Sequence, residues 1–291
     1  MRRTVLALTA LLCLAMAASA SAVTVAPTST NNGYSANFKV TGGMKKQVGV
    51  TVTETLGTTA PTGFGRPFPL ADILTKLSGV AAPYAKFFPR CTVAQINNAG
   101  NSSGKWNNVC PKGSQVAVGK LVSAIGDSTA GNGTTPDPNL TVTPLVNPCT
   151  LTLHVYNAGP GKLAYFFTVA NNACGPLGTG AALAYPATVA VRGGMLVNNV
   201  PEDANISFNA GNTGDWGSLL SETLVWKGTV KHRGKVYPYL VSTGCTKHRT
   251  HAWTAAFTAT NAVGSVTTSP TTVPPAANNL PTVTVSGASK C

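Results

Sequence analysis

Three stretches of this chain carry side chains whose types and spacing could do chemistry. Gly126-Asp127-Ser128 closes an apolar run and would present a serine hydroxyl at a turn. Such a nucleophile needs a base to accept its proton and an acid to orient that base. Cys245, His248 and His251 put one thiol and two imidazoles within seven residues, the donor types that zinc takes. Lys227, Lys231, Arg233, Lys235, Lys247 and Arg249 form the densest positive region, with His232, Tyr237, Tyr239 and Trp253 interleaved. Rings and cations in that mixture suit a sugar or an anionic polymer, through stacking plus charge.

The first two stretches lack partners. On an extended segment His248 and His251 point to opposite faces, no fourth ligand is evident, and an oxidising compartment would commit Cys245 to another cysteine. Neither a metal nor a cofactor is therefore expected. Of the carboxylates only Glu202 and Asp203 adjoin, and neighbours in a loop after Pro201 cap turns more often than they act as an acid and base pair. No Gly-x-Ser-x-Gly elbow, phosphate loop, dinucleotide fingerprint or His-Glu-x-x-His helix occurs. No catalytic residue is assigned, and a hydrolase with dispersed residues, Ser128 among them, stands as the alternative.

The elements that must position these groups lie behind a leader. Arg2 and Arg3, the apolar stretch Val5 to Ala18 and the small residues to Ala22 read as a secretory signal peptide over residues 1–22. Export places the remaining six cysteines in an oxidising space, where three crosslinks would staple the chain. Fifteen pairings are open; local spacing favours Cys91 with Cys110, Cys149 with Cys174 and Cys245 with Cys291. Without Arg2 and Arg3, 19 of the 21 basic residues remain against eight acidic ones, a net charge of +11. For an exported chain this fits anionic cell-wall polymers first, anionic lipid surfaces second and nucleic acid last. No second apolar run approaches membrane-spanning length, so no transmembrane anchor is expected.

Charged residues are only 10% of the chain, and Thr, Val, Gly, Asn and Pro dominate, a composition for strands and turns. Tyr34, Ala36, Phe38 and Val40 alternate with polar residues, as do Val48, Val50 and Val52, a half-buried hairpin across Gly42-Gly43. Further strands are expected at 73–77, 116–125, 151–156, 163–169, 188–191, 223–230, 236–241, 253–260 and 282–286. Leu163 to Phe167 is apolar on both faces and should lie centrally. The 223–230 and 236–241 arms should pair around Gly234, with Pro238 marking an edge or a bulge. One short helix is expected at Thr92 to Asn97, stopped by Gly100. Residues 23–264 then form one all-β domain, an antiparallel sandwich of Ig-like or jelly-roll-like type with at most short helices. Residues 265–291 form a Thr/Pro-rich segment tethered by Cys291. Asn101, Asn132, Asn139 and Asn205 open glycosylation sequons.

Two resemblances bear on function. Val122 to Gly133 resembles the nucleophile block of secreted SGNH-type esterases, which implies a Ser128 nucleophile in an α/β domain. In that family an Asp lies three residues before the His, and no histidine here has an acidic residue at that spacing. Phe88-Pro89-Arg90-Cys91, then Val109-Cys110-Pro111-Lys112-Gly113-Ser114-Gln115-Val116-Ala117-Val118-Gly119, and later Ser242-Thr243-Gly244-Cys245 resemble a group of uncharacterised secreted β-rich proteins of high-GC Gram-positive bacteria. That resemblance implies an exported β-rich chain and brings no activity or site residues; Cys149, Cys174 and Cys291 depart from it. The expected function is that of a secreted, noncatalytic cell-envelope or extracellular protein, binding an anionic glycopolymer or polysaccharide through the basic hairpin. A purely structural surface component is the remaining alternative.

Overall fold

The computed structural model describes residues 22–42, 45–62, 67–103, 109–126, 149–169, 184–201, 216–245, 249–260 and 279–291. Residues 1–21 of the expected leader, Asp127, Ser128, Cys174, Glu202, Asp203, Lys247, His248, Asn132, Asn139, Asn205 and most of 265–279 lie outside the described residues.

The chain opens with β1 (Val23–Val25), β2 (Gly33–Thr41), β3 (Thr51–Thr59), β4 (Leu70–Ser78) and the short β5 (Val80–Ala81). A 3-10 turn, Ala85–Phe87, precedes the helix α1 (Val93–Ser103). β6 (Gln115–Gly126), β7 (Cys149–Gly159), β8 (Lys162–Val169), β9 (Tyr185–Arg192) and β10 (Met195–Pro201) follow. β11 (Trp216–Trp226), β12 (Thr229–His232), β13 (Lys235–Pro238) and β14 (Val241–Ser242) lead to β15 (Thr250–Ala259) and β16 (Val283–Lys290).

Twelve of these strands form a single antiparallel sheet in the order β1-β2-β3-β11-β6-β7-β8-β9-β10-β4-β15-β16. The expected division into two sheets of a sandwich is not what the hydrogen bonding gives. Alternation demands one buried face per strand and leaves open whether a second sheet or the same sheet curling round covers it. Here the sheet curls: β16 packs back against β1 and β2. The seam is held by Val40 N–H donating to Ser289 Oγ (3.1 Å) and by Asn31 Nδ2 donating to the Pro281 carbonyl (3.0 Å). Tyr34 stacks on Phe257 at 4.8 Å, and Phe38 meets Trp253 at 5.3 Å, so rings of β2 and β15 fill the space between. The result is a nearly closed, barrel-like sheet. β16 is its last strand, so residues 283–290, within the segment expected to be tethered by Cys291, pair with β15, and Val285 lies in the core.

Leu151, Leu153, Val155, Leu163, Tyr165 and Phe167 face the interior. Ala164 and Phe166 point outward and are covered by Ile96 of α1 and by Cys91, which explains why β8 is apolar on both faces. α1 begins with a capping box: Gln95 N–H donates to Thr92 Oγ1 (3.2 Å) and Thr92 N–H to Gln95 Oε1 (2.8 Å). The helix runs past Gly100 to Ser103, so that glycine does not stop it.

The basic hairpin differs from its expected pairing. Residues 216–226 are spent in the large sheet between β3 and β6, and the hairpin is a separate two-stranded ribbon, β12 with β13. Arg233 (φ 48°) and Gly234 (φ 79°) form its two-residue turn, the type with both central residues left-handed that matches strand twist. Among the described residues no helix is long and apolar enough to cross a membrane.

Candidate functional site

At one end of the sheet the ribbon meets the segment 84–90. Asn157, at the end of β7, fixes that segment by donating from Nδ2 to the carbonyls of Ala85 (3.3 Å), Phe88 (3.0 Å) and Pro89 (3.2 Å). The Asn157 backbone carbonyl accepts from Cys91 N–H at 2.9 Å, and the disulfide Cys91–Cys110 ties the next residues down. One buried amide thus holds three backbone carbonyls, of which that of Ala85 also accepts from Phe88 N–H at 3.2 Å.

On this support four rings pack together while remaining half-buried. Phe87 stacks on His232 at 4.6 Å with planes 7° apart, and meets Tyr237 at 4.8 Å. Tyr84 lies 5.0 Å from Tyr237, edge to face, and 6.0 Å from Phe87. Lys86 Nζ stands 5.3 Å from the Phe87 ring centre, within cation–π range. Lys231, Arg233 and Lys235 are exposed on the ribbon, as are Lys86 and Arg90 opposite. Val236 is 67% exposed between them. The site is an aromatic cluster rimmed by cations.

The residues expected from sequence divide accordingly. Lys231, Arg233, Lys235 and Tyr237 come together on the ribbon, and Lys227 is exposed just before it. Tyr239 is withdrawn: it is 1% exposed, packs edge-on against Phe88 (5.2 Å) and faces Trp226 (6.4 Å). The chain leaves the ribbon after Pro238, so the alternation that would keep Tyr237 and Tyr239 on one face ends between them. Arg249 is exposed on another element, before β15, where its carbonyl accepts from Cys291 N–H. Trp253 is interior. Tyr84, Phe87 and Lys86 were missed; Tyr84-Ala85-Lys86-Phe87-Phe88, aromatics flanking a lysine, was the available signal.

A second cluster lies inside the sheet. Glu54 pairs opposite Leu224, and Glu222 opposite Leu56, so the two carboxyls are diagonal neighbours on one face of β3 and β11. That diagonal is reached by long side chains. Glu54 Oε2 accepts from Trp226 Nε1 at 3.2 Å. Burial pushes Glu54 up to about 7 against this hydrogen bond. Burial, with the Glu54 charge added, pushes Glu222 up to about 8. Tyr165 is raised well above the ordinary phenol value by burial and then by both carboxylates, although Asn198 Nδ2 donates to its hydroxyl at 2.9 Å. Asn198 Oδ1 and the Tyr239 hydroxyl have no hydrogen-bond partner among the described residues. Burial in this interior thus favours the protonated carboxyls over the charged ones.

Comparison with known proteins gives no match to any family model, curated protein or solved structure.

Proposed function

We propose that this chain is an exported, noncatalytic protein of the cell envelope or extracellular space that binds an anionic glycopolymer through Tyr84, Phe87, His232 and Tyr237 with Lys86, Lys231, Arg233 and Lys235. The observation that carries the reading is the ring cluster itself, four rings in mutual contact and half-exposed under a rim of cations. An ordinary solvated hairpin would turn its rings into the core and spread its charges. Here rings offer faces for sugar stacking, and the cations suit phosphate or carboxylate on the same polymer. The leader and the disulfides Cys91–Cys110 and Cys245–Cys291 support export. Poly(glycerol phosphate), a neutral glucan and duplex DNA should be offered to the mature chain at two salt concentrations. The expected result is salt-sensitive retention on poly(glycerol phosphate). It should fall at least tenfold in Phe87→Ala and in the Lys231→Ala, Arg233→Ala, Lys235→Ala triple variant. Unchanged binding in both variants removes the reading, and salt-independent retention would favour a purely structural role.

Glu54 and Glu222 favour a second reading, a hydrolase with its acid and base on neighbouring strands. It requires turnover of a glycan that is lost in both Glu54→Gln and Glu222→Gln; persistent turnover in either variant excludes it. The sandwich form of the fold belongs here too: a barrel-like sheet flattened until opposite walls touch would have the layered core of a sandwich, with its inward side chains in one cluster.

A further inference from the structure

The C-terminal corner, beside the turn at Gly79 and Gly244, holds a group of donors with a different chemistry. Cys245, His251 and Cys291 each offer one ligand atom, and these atoms all lie within 4.8 Å of one another. The two cysteines are joined in the structure, with Cα atoms 6.3 Å apart. His251 is fully buried, and its Nδ1 lies 2.9 Å from the Ser78 carbonyl. A carbonyl can only accept, so Nδ1 carries the proton and Nε2 presents a lone pair. Nε2 is buried without a hydrogen-bond partner among the described residues. An imidazole fixed through one nitrogen by a backbone carbonyl, with the other left as a naked donor, is the arrangement in which histidine ligates metals.

We infer that, when the Cys245–Cys291 bond is open, Cys245, Cys291 and His251 form a binding site for one zinc-like divalent cation, so that disulfide and metal are alternative fastenings of the same corner. Around a tetrahedral zinc with bonds of about 2.3 Å, neighbouring sulfurs stand about 3.8 Å apart, so the two sulfurs, joined here, must separate once the bond is opened. Two thiolates and one imidazole leave a fourth position for water or a further ligand.

The donors are held in place by more than the disulfide. Thr250 pairs with Lys290 in the β15–β16 ladder, and Cys291 N–H donates to the Arg249 carbonyl at 3.0 Å. On the other side, Thr243 N–H donates to the Gly79 carbonyl (2.9 Å) and Gly244 N–H to Ser242 Oγ (3.0 Å). Gly79 has φ +72°, and a Cβ there would stand 2.5 Å from both the Gly244 carbonyl and His251 Nδ1. Only glycine lets the imidazole lie against this turn. Opening the S–S bond therefore leaves the three donors close together.

The test uses the mature chain reduced anaerobically with a trialkylphosphine. Phosphorus gives two electrons to the S–S bond and leaves as the phosphine oxide with the oxygen of one water, whose two protons complete the thiols. Binding of Co²⁺, a spectroscopic stand-in for zinc, then displaces those protons. The expected result is a saturable thiolate-to-cobalt charge-transfer band at one equivalent, bleached by Zn²⁺ and absent before reduction. Cys291→Ser should abolish one-equivalent binding, and His251→Gln should weaken it at least tenfold. Cys291 is only half-buried at the chain end, so its serine variant keeps the test usable if the buried His251 variant does not fold. A reduced chain with intact circular dichroism and no saturable band overturns the inference. So does a band that persists in Cys245→Ser, Cys291→Ser, because the metal would then sit on other cysteines.

Discussion

Raising the pH from 5 to 9 should lower the stability of this protein, and the carboxyl pair inside the sheet sets the amount. In the unfolded chain both groups titrate near 4.5; in the native state burial moves Glu54 to about 7, and burial with the Glu54 charge moves Glu222 to about 8. Between these limits the native state binds more protons than the unfolded one. The contribution is therefore complete below pH 4.5 and is lost as pH rises through 7 to 8. At ~1.4 kcal/mol per unit the single-site shifts correspond to ~3 and ~5 kcal/mol. The second contains repulsion by the first, and the two protons leave in steps that belong to the pair. The expected loss is thus on the order of 3–5 kcal/mol, or roughly 10 °C in Tm for a chain of this size. Asp72, raised by burial against a hydrogen bond from Asn199, adds a little with the same sign. His154, lowered by burial, acts oppositely and costs stability as pH falls through its ordinary range. Calorimetric melts at constant ionic strength measure the slope. Glu54→Gln, Glu222→Gln should flatten it above pH 6 and melt higher than the parent at pH 9. A parent Tm that stays level or rises between pH 5 and 9 refutes the reasoning, as does an unchanged slope in the double variant.

Three further perturbations test the supports of the fold and of the ring cluster. Asn157→Ala leaves the carbonyls of Ala85, Phe88 and Pro89 without that donor; urea unfolding should show a loss of about 2–3 kcal/mol, and polymer retention should fall because Tyr84 and Phe87 lose their footing. Gly119→Ala drives a methyl into the Thr223 carbonyl and to 2.8 Å from Leu224 Cα across the β6–β11 pair; the backbones must part, at a cost of about 2 kcal/mol or more in urea unfolding. Replacing Cys245 and Cys291 together by serine opens a closure of 46 residues, worth about 4 kcal/mol by loop entropy, with β16 still paired and the far-ultraviolet spectrum retained.

Much of the strand content was legible, because alternation at Tyr34 to Val40 or Trp253 to Ala259 reports one buried face directly. The sheet's order was not. β4 lies between β10 and β15, partners far away in sequence that no local pattern names. β10 escaped notice because Asn198 interrupts its apolar series, and Asn198 faces inward only because Tyr165 accepts from it. Residues 223–230 read as one arm since the alternation continues through Val230. The chain in fact leaves the sheet at Gly228, where N–H donates to the Val116 carbonyl and a Cβ would meet Val116 Cα at 2.7 Å. The burial of the two interior acids has a local signature in the sequence. Val50, Val52, Glu54 and Leu56 share one face, as do Glu222, Leu224 and Trp226, so each carboxyl was already assigned to the core by its neighbours. The cations of the ribbon were readable as a cluster, whereas their ring partners come from residues 84–87, joined only by the fold.

The placement of β4 also governs when this molecule can assemble. Residues 70–78 find one ladder neighbour at 195–201 and the other at 250–259, so a chain made N-terminus first cannot complete its walls until residues past 250 have been added. Long-range pairings of this kind are slow to form and leave sticky edges uncovered meanwhile. Truncation before residue 250 would leave β4 with one side permanently unpaired.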